Sequence, residues 1–286
     1  MRGGVLLAAA LVAAMPAAAD PVVVPNSESF VMTAAETGRR YRILLARPLL
    51  PAPEAGYPVL YFLDGNATFQ TAAEAMRLQT RPPKGFEPAA VVAIGYETDE
   101  PFDTARRYFD YTTPADPSAL PKRGNGAPFP ELGGADAFLD FIADELMPEI
   151  GRRLPTDPAR ATLFGHSLGG YFTLHAFLTR PTLFATWVAG SPSVWWNGEE
   201  ILARAEAFDP AAADLEGRSL FIGVGAEELP DMVVGAGRMA EILAPLSERG
   251  LSVSHQAFAG SEHITVLPSL ISRSFSLALQ APADIR

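Results

Sequence analysis

Apolar residues along this chain fall into short continuous runs separated by longer segments with helical spacing. Residues 27–33 and 41–46 read as two strands joined by a turn at Glu36-Thr37-Gly38. Residues 58–63 are apolar throughout and stop at Asp64-Gly65-Asn66; 69–78 then read as a helix. Further strands are expected at 89–94, 161–164, 187–189, 220–224 and 253–258. Between them, 135–153 places Phe138, Phe141, Ile142, Leu146 and Ile150 on one helical side, and 168–178, 232–248 and 264–279 read as helices. A strand that is apolar at every position has to be buried on both faces. The alternation therefore predicts an α/β protein, with a mostly parallel central sheet and helices on both faces.

Two segments fall outside this pattern. Residues 98–134 hold Pro101, Pro114, Pro117, Pro121, Pro128 and Pro130 with no clear period, while Phe102, Tyr108, Phe109, Tyr111 and Phe129 recur. The aromatic content argues for an ordered excursion over one sheet edge, either a pocket wall or a packed connector. Residues 1–19 have the form of a cleavable signal peptide: Arg2 at the start, an apolar run over 5–15, then Ala17-Ala18-Ala19. That run is shorter than the roughly 20 residues a membrane span needs. Residues 20–286 are then expected to form a single domain, periplasmic or secreted and without a membrane anchor.

Composition narrows the chemistry. With 286 residues, 48% of them hydrophobic, the chain can bury a large core without staples. The net charge of -11 argues against nucleic acid or anionic lipid as partner, since both need a concentrated positive face. The absence of cysteine excludes disulfides, thiolate metal sites, thiol nucleophiles and a lipoprotein anchor. What remains is a small-molecule partner and chemistry built from oxygen and nitrogen.

Gly165-His166-Ser167-Leu168-Gly169 lies between an expected strand and an expected helix. A sharp strand-to-helix turn presents a serine hydroxyl above a sheet, and small residues two before and two after let the chain bend that tightly. Gly170 adds room where the helix passes the strand. Free N–H groups at the helix start lie beside the hydroxyl and suit a developing oxyanion.

A serine nucleophile needs a base, and in this arrangement acid and histidine follow the serine in that order. His166 precedes the serine, His175 lies two turns into the helix, and His255 is committed to one face of a strand. His263 follows the last strand in a loop and is the expected base. The carboxylate that orients it should lie after 220–224; Glu228 is preferred, then Glu227, with Asp231 opening the next helix. The oxyanion hole is assigned to backbone N–H groups of Leu168 and of Asn66 or Gly65, with Asp64 as a turn residue.

These motifs, together with residues 58–67, Ser191-Pro192-Ser193-Val194-Trp195-Trp196 and residues 262–268, resemble the putative-esterase family of α/β-hydrolases. The nearest branch opens ester-linked catecholate siderophores (enterobactin, salmochelin, bacillibactin). The resemblance implies an α/β-hydrolase fold and ester hydrolysis by Ser167 and His263, with no metal or cofactor. Some members of this branch are thought to act as a Ser-His dyad, so the resemblance leaves the role of Glu228 open. Arg106-Arg107 with Asp110-Tyr111-Thr112 resembles a segment that lies near the pocket in this branch, so an arginine there either holds an anionic substrate or forms an ordinary ion pair. Trp195 and Trp196 either wall the pocket or pack in the core. Two rival readings stand beside hydrolysis: acyl transfer to a sugar or alcohol, and a binding protein that has lost the chemistry.

Overall fold

The computed structural model describes residues 19–20, 22–116, 118, 120 and 126–279. The signal peptide expected at 1–19 lies almost wholly outside them, as does part of the proline-rich excursion. Among the described residues no helix is long and apolar enough to cross a membrane.

The chain opens with β1 (Ser27–Thr33), β2 (Arg40–Ala46) and β3 (Tyr57–Phe62), then α1 (Gly65–Gln79) and β4 (Ala90–Gly95). A short helix α2 (Thr104–Tyr111) precedes α3 (Ala135–Asp140), which continues through a wider π turn (Phe141–Leu146) into α4 (Met147–Arg153). Next come β5 (Thr156–His166), α5 (Leu168–Thr179), β6 (Thr186–Gly190) and α6 (Glu200–Glu206). The chain closes with β7 (Ser219–Gly225), α7 (Pro230–Leu243), β8 (Ser252–Phe258) and α8 (Leu267–Leu279). The strands form one sheet in the order β1-β2-β4-β3-β5-β6-β7-β8. The first two strands pair antiparallel, β2 runs antiparallel to β4, and all later neighbours are parallel.

Both faces of the sheet are covered, as the continuous apolar runs require. Side chains alternate across a strand. Val59, Tyr61, Leu163, Trp187, Leu220 and Ile222 join Phe172 and Phe177 of α5 and Met239 of α7 in one core layer. Leu60, Phe62, Phe164, Val188 and Phe221 point the other way, onto Phe69 and Met76 of α1 and Leu270, Ile271 and Phe275 of α8. Burying those three α8 side chains contributes roughly 5–9 kcal/mol as an upper estimate, enough to hold the preceding loop against the sheet. Gly190 and Gly223 make room for them: a methyl group on either would meet a Leu270 methyl, at 2.8 and 2.3 Å.

The elements differ from expectation mainly at their ends. The first helix begins at Gly65 rather than at 69, because Asp64 turns the chain with φ 51° and starts the helix at once. The strand expected at 161–164 starts five residues earlier, its opening half only partly buried and therefore lacking an apolar signature. The aperiodic excursion contains α2, capped where the Asp103 side chain accepts from the Arg106 N–H. Its eight residues are too few to display a repeating pattern.

The turn between β5 and α5 relies on only some of its glycines. A Cβ at Gly165 would lie 2.0 Å from the Gly169 carbonyl oxygen, and one at Gly170 would lie 2.5 Å from that of Gly190. At Gly169, expected to be equally constrained, the nearest atoms stand at an ordinary 3.5 Å. Gly165→Ala is therefore expected to lower stability by roughly 1–3 kcal/mol or more, as overpacking against backbone does. Gly169→Ala should stay within about 1 kcal/mol of the parent, helped by alanine's helix propensity. Denaturant unfolding of the two variants reads the difference; equal losses would contradict the close backbone approach.

Candidate functional site

Five neighbouring parallel strands end at one edge of the sheet, and each delivers a polar group there. Ligand sites in such sheets lie outside the carboxyl ends of the strands. Here β3 leads to Asp64-Gly65-Asn66, β5 to Ser167, β6 to Ser191 and Ser193, β7 to Glu228, and β8 to His263.

Ser167 has φ 61° and ψ −119°, a backbone conformation nearly reserved for glycine. Its N–H donates to the Gly190 carbonyl at 2.9 Å, and its own carbonyl accepts from Tyr171 N at 2.9 Å and Ser193 N at 3.1 Å. These bonds hold the bend from both sides. The Ser167 Oγ lies 3.0 Å from His263 Nε2, and His263 Nδ1 lies 2.7 Å from Glu228 Oε2. Ninety-six positions separate Ser167 from His263 in sequence. The preferred acid, base and hydroxyl thus stand in one line of hydrogen bonds.

Glu228 is buried, whereas Glu227 is exposed and takes no part. Its second oxygen accepts from Gly225 N–H at 2.7 Å and from the Ser191 hydroxyl at 2.5 Å. Burial opposes ionisation, but the hydrogen bonds from His263, Ser191 and Gly225 outweigh it and hold the carboxyl below the usual glutamate range. A side chain at Gly225 would run into the Ser261 carbonyl at 2.4 Å, so the loops after β7 and β8 are in close contact. Asp231 sits in the first turn of α7, as expected.

His166 lies beside the base with ring centroids 4.6 Å apart. Burial, with the charges of His263 and Arg107 adding to it, pushes its pKa down to about 3. It therefore stays neutral and places no competing positive charge next to His263. His175 is buried between Asp136 and Arg204, at 2.9 and 2.8 Å, and His255 is exposed on the edge strand β8.

Among the described residues, the N–H groups of Leu168, Gly65 and Asn66 have no hydrogen-bond acceptor. The Asn66 side chain locks its own turn, accepting from Tyr96 N–H at 2.8 Å and donating to the Tyr96 and Thr98 carbonyls at 3.1 and 2.7 Å.

For Arg106, Arg107 and Trp196 the contacts are those of the packing and ion-pair alternatives. Arg107 grips the Asp64 carboxylate through Nε and Nη2, each at 2.9 Å. Arg106 lies over the rings of Tyr41 and Tyr96 and donates to the Arg40 carbonyl at 3.1 Å. Both guanidinium groups are committed to the protein, because α2 turns them inward. Trp196 is fully buried against Tyr108 and Phe129 and is core; only Trp195 is partly exposed. Two residues have polar contacts here that spacing did not reveal: Ser191, on Glu228, and Ser193, whose hydroxyl is 3.5 Å from that of Ser167. Both stood in the Ser191-Pro192-Ser193 motif, which was the available signal. Among the described residues no group of three His, Cys, Asp or Glu side chains could hold a metal ion.

The family model described as "Putative esterase" matches residues 34–261. The chain is 43% identical over 263 residues to the ferri-bacillibactin esterase of Bacillus subtilis, covering 90% of each chain. Among solved structures it is similar to the BES protein from Bacillus cereus, with a TM-score of 0.86 and 34% identity over 93% of this chain and 100% of that one. It is also similar to the siderophore hydrolase EstB from Aspergillus nidulans, with a TM-score of 0.73 and 32% identity over 91% and 98% of the two chains. This chain belongs to the "Putative esterase" family, has the α/β-hydrolase fold and is a carboxylic ester hydrolase.

Proposed function

We propose that the enzyme opens the backbone esters of siderophores through a Ser167 acyl-enzyme, with His263 as base and Glu228 as its orienting acid. The observation that carries the reading is the continuous contact from the Ser167 Oγ to His263 and on to Glu228, at 3.0 and 2.7 Å. The substrate class is supported by the similarity to the ferri-bacillibactin esterase and to the siderophore hydrolase.

In the first step the Ser167 Oγ forms a bond to the ester carbonyl carbon while His263 Nε2 takes its proton. The carbonyl electron pair moves onto oxygen, which is received by the N–H of Leu168 and of Gly65 or Asn66. Glu228 stabilises the imidazolium without itself taking the proton. Collapse breaks the bond to the alcohol oxygen, and His263 returns the proton to that leaving group. Water then attacks the acyl-enzyme with His263 again as base, releasing the carboxylic acid and restoring the Ser167 hydroxyl. Export to the periplasm or beyond fits this role, and the form of residues 1–19 is what supports it.

Ser167→Ala should lower turnover of short p-nitrophenyl esters by roughly 10³-fold or more, and His263→Ala by a similar factor. His255→Ala and Glu227→Gln should leave it near the parent rate. Glu228→Gln should cost roughly 10²–10⁴-fold; a near-parent rate would favour a Ser-His dyad. A panel of iron-free and ferric catecholate trilactones should be hydrolysed with kcat/KM about tenfold or more above p-nitrophenyl acetate, as remote binding energy is used at the reacting carbon. No preference for any trilactone would remove the siderophore assignment and leave the esterase.

Glu228 also links folding to pH. Its folded pKa is depressed, so its ionisation stabilises the fold above the ordinary glutamate value of about 4.3. That stabilisation fades as pH falls through this value and is gone below the folded pKa. Thermal unfolding followed from neutral to acid pH should fall less steeply for Glu228→Gln than for the parent; parallel curves would contradict the linkage.

A further inference from the structure

The inward turn of Arg107 gives it a different place at the site. Asp64 is the residue from which α1 springs; its carbonyl accepts from Ala67 N at 2.9 Å and Thr68 N at 3.1 Å. Its own N–H donates to the Tyr111 hydroxyl at 3.0 Å, and its carboxylate takes both Arg107 donors. The same Arg107 Nη2 reaches the His166 carbonyl at 3.4 Å. That carbonyl belongs to the peptide whose N–H, at Ser167, is held by Gly190. The peptide entering the Ser167 bend is thus held at both its polar ends, and one of the two holders is also fixed to the turn carrying Gly65 and Asn66. The Asp64 carboxylate also lies against the first turn of α5, with Oδ2 3.5 Å from where a Gly169 Cβ would project. Asp64 and Arg107 have side chains only 2% and 14% exposed, so solvent does little to loosen the pair.

We infer that Asp64 and Arg107 are positioning residues for the oxyanion hole: their ion pair sets the spacing between the N–H groups of Gly65 and Asn66 and that of Leu168. This rests on the reading of Ser167 as nucleophile. The two donor sets stand on separate strand ends, β3 and β5, and an oxyanion hole works only when its donors are in place before charge develops. A two-point guanidinium–carboxylate contact is rigid enough to hold such a distance, and lysine cannot reproduce it. Tyr111 completes the clamp by holding the Asp64 backbone from α2.

The test compares p-nitrophenyl butyrate with its thiono analogue, in which sulfur replaces the carbonyl oxygen. A hole spaced for oxygen serves the larger sulfur poorly, so the parent enzyme should strongly prefer the oxygen ester. Asp64→Asn and Arg107→Lys should lower kcat for the oxygen ester by about 10- to 100-fold, with little change in KM. The thiono ester should lose far less, so the ratio of the two rates contracts. Tyr111→Phe keeps the buried ring, removes only the hydroxyl, and should contract the ratio in the same direction by a smaller factor. Equal losses on both esters would mean a structural brace and would overturn the inference, as would unchanged rates. The ratio is independent of how much enzyme is folded, so a destabilised variant still gives an answer. Ser167→Ala, run alongside, separates the two claims. Persisting turnover overturns the nucleophile and the inference together, while an unchanged ratio in a Ser167-dependent enzyme overturns the positioning role alone.

Discussion

The site depends on one strained residue. Ser167 occupies a backbone region that side chains avoid, and it stays there because the surroundings allow no relaxed alternative. Its N–H and carbonyl are engaged by Gly190, Tyr171 and Ser193, and the backbone passes within contact of Gly165 and Gly170. A hydroxyl at the crest of such a bend cannot retreat toward the sheet. Relief of the strain would break bonds to β6 and to the first turn of α5 together.

Around that point the electrostatics are arranged by burial. The carboxylate of Glu228 is kept charged by three donors although it is nearly sealed from water, whereas His166, buried with its Nε2 unpartnered and with the charges of His263 and Arg107 opposing a proton, is kept neutral. The two outcomes follow from one rule: a buried ionisable group carries charge only where hydrogen bonds or opposite charges compensate the lost hydration. Glu228 thus sets an anion behind His263, and His166 sets an uncharged ring beside it. Ser191 contributes to the first of these without approaching the reacting bond.

The proline-rich excursion is the main structural addition to the plain alternation of strands and helices. Its helix α2 faces the sheet edge and sends Arg107 and Tyr111 beneath the turn after β3, while Tyr108 and Phe129 pack on Trp196. It joins the floor of the site to the loop after β6 through aromatic contacts and to the loop after β3 through one buried ion pair.

What the sequence determined by itself was everything governed by local periodicity and chain order. Continuous apolar runs required a two-sided core, and the glycines around Ser167 required a sharp bend. The late loop histidine and the acidic loop before it left few choices for partners. Tertiary structure alone decided which of two adjacent glutamates turns inward, because Glu227 and Glu228 differ only in the Gly225 turn and the Ser191 hydroxyl waiting from another strand. It likewise decided that Gly170 rather than Gly169 is crowded, since the crowding atoms belong to the end of β6 and the loop after it. It also gave Arg107, which the sequence left open between substrate contact and ion pair, its partner Asp64, forty-three positions away. Each of these depends on a neighbour supplied by a distant segment, and no pattern confined to one segment encodes that neighbour.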